Sequence, residues 1–155
     1  MGLLSVKKRY YSDWTVQELA CRLNEHPIEL GETVYRVHKA DEGVYVLRPV
    51  NNPRLYGGRG RNPFVPEIDV FLWPEQDGGT AVELHFRPMR VVSVGGGLLF
   101  GGFLFCAILL LFSAASQMLS LYFFLAAAGW LLVSLIGFRV GMLSAARRVK
   151  EVLEL

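Results

Sequence analysis

The spacing of apolar and polar positions divides this chain into two regimes. From Val91 through Phe138 no Asp, Glu, Lys, Arg or His occurs, and a bilayer-spanning helix needs roughly 20 apolar residues. The run therefore predicts two spans, Val91 to Ser113 and Met118 to Phe138, joined by the short polar break Ser113-Ala-Ala-Ser-Gln117. Residues 1–90 precede it, enough for one small domain with a modest core.

Within that domain the pattern changes from helical to alternating. Thr15-Val-Gln-Glu18 reads as a capping box, in which hydroxyl and carboxylate each satisfy a free backbone N–H. Val16, Leu19, Ala20 and Leu23 then form one apolar stripe, and Pro27 closes a helix over residues 15–26. Thr33 to Lys39 and Val44 to Arg48 read as strands split by the turn Ala40-Asp-Glu-Gly43. Ile68, Val70 and Leu72, then Val82, Leu84 and Phe86, alternate with polar or aromatic residues on either side of Asp77-Gly-Gly79. Placing both apolar sets on one face fixes a register: Ile68 opposite Phe86, Val70 opposite Leu84, Leu72 opposite Val82. The same register sets Glu67 opposite Arg87 and Asp69 opposite His85, two favourable cross-strand pairs of about 0.2–1 kcal/mol each.

These elements predict an α+β cytosolic domain, residues 1–90, with one N-terminal helix across a four-stranded antiparallel sheet. A transmembrane helical hairpin follows over 91–138, then a cytosolic C-terminal helix over 139–155. Only Met89 and Arg90 separate Pro88 from the first span, so the sheet is expected to cap the hairpin rigidly. Beyond Arg139, Leu143, Ala146, Val149 and Leu153 repeat at helical spacing opposite Arg147, Arg148, Lys150, Glu151 and Glu154. Unbroken from Met118, that helix would be roughly 50 Å long. Its apolar stripe requires a partner, either the cytosolic domain of the same chain or the same stripe on another subunit.

Charge sets the expected orientation. Arg87 and Arg90 precede the first span, Arg139, Arg147, Arg148 and Lys150 follow the second, and the connection carries no basic residue. Basic residues stay cytoplasmic, so both termini are expected in the cytosol. Cys21 lies in the domain and Cys106 in the first span, which suits a reducing compartment. The net charge of +2 is too small to suggest nucleic acid. Lys7-Lys8-Arg9 could tether the domain to anionic lipid at about 1 kcal/mol per basic residue.

Candidate chemistry is sparse. His26, His38 and His85 share no metal-ligand spacing, and neither a Gly-x-Ser-x-Gly elbow nor His-Glu-x-x-His occurs. The most unusual stretch is Asn-Asn-Pro-Arg-Leu-Tyr-Gly-Gly-Arg-Gly-Arg-Asn-Pro-Phe-Val-Pro, residues 51–66, with three arginines and no acid. It lacks the Lys-Ser/Thr of a phosphate-binding P-loop and precedes a strand. It is a loop first, whose Arg54, Arg59 and Arg61 are candidates to meet a ligand, lipid headgroups or a neighbouring subunit. Gly97 and Gly101 in the first span, and Gly137 and Gly141 at the end of the second, give small-xxx-small faces for helix packing or oligomer contact. Neither span holds an ionisable residue, which argues against a solute carrier. A plain anchor and a pore built from several subunits remain.

Arg61-Asn-Pro-Phe-Val-Pro66, followed by a strand, Asp-Gly-Gly-Thr80, another strand and Phe86-Arg87-Pro88 entering a span, resembles a loose group of uncharacterised bacterial two-span membrane proteins. That pattern carries Arg-Asn-Ser-Phe with a Pro two residues on, a Gly-Thr turn and an Arg before two spans. The resemblance covers roughly residues 31–112 and departs at Pro63, where Ser is usual, and in the glycine-rich first span. It implies the architecture, a bacterial inner membrane, and no assigned activity. The expected function is a small membrane-anchored accessory or scaffold protein without catalysis, cofactor or metal. Its partners would be the bilayer and either copies of itself or a larger membrane complex. A ligand-responsive oligomeric pore gated by the cytosolic domain is the alternative.

Overall fold

A computed structural model describes residues 5–31, 33–51, 64–76, 78–112 and 117–155. In chain order its elements are β1 (Val6–Ser12), α1 (Val16–Glu25), β2 (Ile28–Leu30), β3 (Thr33–Asp41), β4 (Val44–Asn51), β5 (Glu67–Pro74), β6 (Thr80–Arg87), α2 (Arg90–Leu111) and α3 (Gln117–Leu153).

The sheet has six strands in the order β1-β6-β5-β4-β3-β2, all neighbours antiparallel, which corrects the expected four. It forms a half-barrel. Each missed strand has a physical reason. In β1 the run Lys7-Lys8-Arg9 hides the alternation: Lys8 shares the inner face with Val6 and Tyr10 and is half-buried, as a long stem with a charged tip allows. Lys7 and Arg9 point the other way, so the expected basic cluster is divided between two faces. Arg9 is also paired with Glu75 at 3.0 Å. β2 is three residues long, too short to show a period.

α1 forms as its capping box requires. The Thr15 hydroxyl accepts from the Glu18 N–H at 3.3 Å, and the Glu18 carboxylate accepts from the Thr15 N–H at 2.9 Å. The Thr15 N–H and the Thr15 hydroxyl, both donating to the Glu18 carboxylate, hold that carboxyl below the usual carboxylate range. Replacing Thr15 by Ala is expected to cost about 1 kcal/mol, measured as a lower melting temperature of the N-terminal domain with the hairpin unaffected.

The second correction concerns the cover of the sheet. α1 shares the inner face with a second helix, the last third of α3. Phe138, Met142, Ala145, Ala146, Val149 and Leu153 join Leu19 and Leu23 of α1 and Leu47, Ile68, Val70, Leu84 and Phe86 of the sheet in one core. The C-terminal helix is the continuation of the second span. α3 is one helix of 37 residues, about 55 Å long, with its first half in the hairpin and its end in the domain. The stripe identified in the sequence is rotated slightly: Ala146, Val149 and Leu153 are buried, whereas Leu143 is exposed and Met142 takes its place. The N-terminal domain of the same chain is the stripe's partner.

Val92–Leu111 and Gln117–Leu153 are long and apolar enough to cross a membrane. Apart from Tyr11 and Trp73, every large apolar side chain exposed among the described residues lies between Val94 and Leu143. A patch of that extent is not left to water in a soluble monomer, which fits a membrane location.

Candidate functional site at the junction of sheet and hairpin

Two covalent paths and one packed contact meet at one edge of the sheet. β6 ends at Arg87, and α2 starts three residues later at Arg90. β4 ends and β5 begins at this same edge, because Glu67 pairs with Arg87 and Leu47 with Ile68. Just before β5, Phe64 and Val65 cross α3. A Cβ on Gly137 would lie 2.7 Å from the Phe64 ring, and one on Gly141 would overlap the Phe64 carbonyl oxygen. Both approaches are closer than a side chain tolerates against backbone or a fixed ring. Gly137 and Gly141 are four residues apart and so share one helix face. They form the seat on which the strap from Phe64 to Pro66 rests.

The strap is tied on its other side as well. Val65 is buried, and the Tyr35 hydroxyl donates to the Pro66 carbonyl at 2.9 Å. Beside it a cavity of about 310 Å³ is lined by Leu30, Phe64, Val140 and Ser144 among others. The Arg61-Asn-Pro-Phe-Val-Pro66 motif thus has a structural use, since its Phe64 occupies the glycine seat. Arg54, Arg59 and Arg61 lie outside the described residues.

The four candidate glycines divide into two pairs with different surroundings. Gly137 and Gly141 serve this contact within the chain. A Cβ on Gly97 or Gly101 would have no atom within 4 Å, so these two glycines do not join the two spans. The spans meet instead through Gly96 against Trp130, Phe103 near Phe123 with ring centroids 6.2 Å apart, and a buried hydrogen bond from the Ser120 hydroxyl to the Ala107 carbonyl at 2.8 Å. Small residues and a polar tie of this kind are what hold helices together without a hydrophobic driving force.

On the outer face of the sheet the β5–β6 register is the one the apolar positions dictate, Ile68↔Phe86 through Leu72↔Val82. The ion pairs differ from those expected. Arg87 donates to Asp69 at 2.6 Å, and His85 hydrogen-bonds Glu83 two residues back on its own strand. Asp69 is buried, so its carboxylate needs a charged partner, and the long Arg87 side chain reaches diagonally to supply one. The His85 hydrogen bond holds the Glu83 carboxyl below the usual carboxylate range, with Lys7 at 3.7 Å adding to it. Phe71 packs on the His85 ring, centroids 4.6 Å apart. Each of these ionisable groups is engaged with a neighbour.

At the far end of the sheet a cleft of about 810 Å³ lies between the start of α1 and the two strand turns, lined by Tyr45, Leu72, Trp73 and Thr80 among others. Thr15 also lines it, but the capping box occupies its hydroxyl. Among the described residues no group of three His, Cys, Asp or Glu is placed to hold a metal ion.

Fold and junction define the chain by architecture, a two-helix hairpin joined to a six-stranded antiparallel sheet through a two-residue link and one continuous helix. Compared with known proteins, the chain matches no family model, no curated protein and no solved structure.

Proposed function

We propose that this chain is a membrane-anchored scaffold or accessory subunit that self-associates or joins a larger membrane complex, with no catalytic step of its own. Its hairpin crosses a bacterial inner membrane, and both termini and the sheet lie in the cytosol. The basic residues flanking the spans support that orientation, and the resemblance carried by the Arg61–Pro66 motif supports the bacterial setting.

The observation that carries this reading is the contrast between the glycine pairs. Gly137 and Gly141 are filled from within the chain, whereas Gly97 and Gly101 are open on a helix that is otherwise apolar and exposed. An open small-xxx-small face lets a second helix approach backbone to backbone. The junction favours a scaffold over a gated pore. α3 runs unbroken from span to core and β6 joins α2 through two residues, so the sheet has no hinge on which to move against the hairpin.

The test is the mass of the full chain in detergent and in nanodiscs. Wild type is expected to form a defined oligomer, and Gly97→Leu/Gly101→Leu to lose it while the cytosolic domain melts unchanged. An unaltered mass in the double variant would remove these glycines as the subunit contact.

A further inference from the structure

Four outward-facing residues on four strands fall on one transverse row at the hairpin end of the sheet. Arg36 pairs with Arg48 across β3 and β4, and Glu67 pairs with Arg87 across β5 and β6. The Leu47↔Ile68 pairing sets Arg48 beside Glu67. Two arginines therefore stand directly opposite each other on the open face, an arrangement that destabilises a sheet. Both are exposed, and among the described residues neither has a carboxylate within ion-pair distance. The nearby acids do not relieve them. Glu67 adjoins Arg48 and Glu29 lies opposite Val34 on the same face, yet neither closes a bridge, and Arg87 is committed to Asp69.

The row also lies next to the membrane. Arg48 and Arg36 stand two and three strands from Arg87, at about 4.8 Å per strand. Arg87 itself is three residues before the start of α2, so about 10 Å at most separates that end of the row from the first helical residue. That is comparable with the depth of the headgroup region and with the Debye length of about 8 Å in physiological salt. None of the four lysines, Lys7, Lys8, Lys39 and Lys150, belongs to the row. Arginine is the residue whose planar fork matches phosphate oxygens two at a time. The opposite end of the domain carries the reverse sign, with Asp13, Asp41, Glu42 and Glu75 at or beside its turns.

We propose that Arg36 and Arg48 form a binding site for the phosphate of an anionic phospholipid headgroup, which ties the hairpin end of the sheet to the cytosolic leaflet. The inference rests on the membrane orientation given above. A phosphate bound between the guanidinium groups neutralises the cross-strand repulsion, so lipid and sheet stabilise each other.

The full chain in zwitterionic detergent is titrated with short-chain phosphatidylglycerol, with phosphatidylcholine as reference, and bound lipid is read by native mass spectrometry. Wild type is expected to prefer phosphatidylglycerol. Arg36→Gln/Arg48→Gln is expected to bind it about thirtyfold more weakly, the effect of removing two basic groups near the surface. Arg9→Gln, at mid-strand with its guanidinium tied to Glu75, should bind as wild type. Arg36→Glu is the second probe. It replaces the like-charge pair with a carboxylate opposite Arg48, so it should fold at least as stably as wild type and still lose the preference. Equal phosphatidylglycerol affinity in wild type and the Arg36/Arg48 variants overturns the proposal. So does displacement of the lipid by equimolar inorganic phosphate, which would make free phosphate the ligand. Release of the chain from membranes by alkaline extraction would instead overturn the membrane reading itself, independently of the titration.

Discussion

Ending the chain after Val140 is expected to unfold the six-stranded sheet while both spans stay in the bilayer. The residues removed include Met142, Ala145, Ala146, Val149 and Leu153, each no more than 3% exposed. Fully burying a Met, Val or Leu side chain contributes about 1.5–3 kcal/mol, so the three larger side chains alone supply on the order of 4–9 kcal/mol. Their loss also opens the core that they share with Leu23, Ile28 and Phe86. A domain's whole stability is about 5–15 kcal/mol, and α1 alone cannot cover the exposed face. Two ties from the end of α3 disappear as well, the Arg22–Glu154 ion pair at 2.7 Å and the Lys150 ammonium over the Tyr10 ring. Limited proteolysis in nanodiscs reads the result directly: residues 5–87 should become sensitive while the hairpin stays protected. A truncated chain whose domain melts like the full-length one would show that α3 is not part of the core.

The second large effect is expected at Gly141, where two rules predict opposite signs. In an exposed helix interior Gly→Ala stabilises by about 1 kcal/mol. At Gly141 the added methyl runs into the Phe64 carbonyl oxygen and lies 3.0 Å from its carbon, both backbone atoms that cannot rotate away. Overpacking of this kind costs about 1–3 kcal/mol, and lifting the strap would also uncover Val65. Gly141→Ala should therefore lower the melting temperature, and Gly141→Leu should detach the strap and prevent the domain from docking on α3. Gly101→Ala is the internal control. With open space around it, this substitution should leave the monomer as stable as wild type or more so, and its effect on mass should report only on contacts between chains. If Gly141→Ala stabilises as Gly101→Ala does, the strap does not rest on α3 as described.

The contrast between these glycines shows where sequence pattern stops. Both pairs are spaced four apart and both read as close-packing faces, because spacing reports which residues share a side of a helix and not what lies opposite. Phe64 is the missing term, and it arrives from a loop more than seventy residues earlier in the chain. The outer-face ion pairs failed for a related reason. The register placed Asp69 opposite His85 correctly, but which charged tips meet depends on side-chain reach and on the burial of Asp69. Strand β1 was obscured because an edge strand tolerates a half-buried lysine that an alternation rule counts against it.

By itself the sequence determined what local physics enforces. The capping box starts α1, the alternation pins β5 to β6, and the uncharged run makes two helices that water does not accommodate. Tertiary structure alone decided the size of the sheet, the role of the last turns of α3 as core, and the division of the glycines between a seat inside the chain and an open face. It also set Arg36 against Arg48, although each reads as an ordinary outward position on its own strand. Periodicity fixes the face a residue occupies within its element, and only the packing of elements far apart in the chain fixes what that face meets.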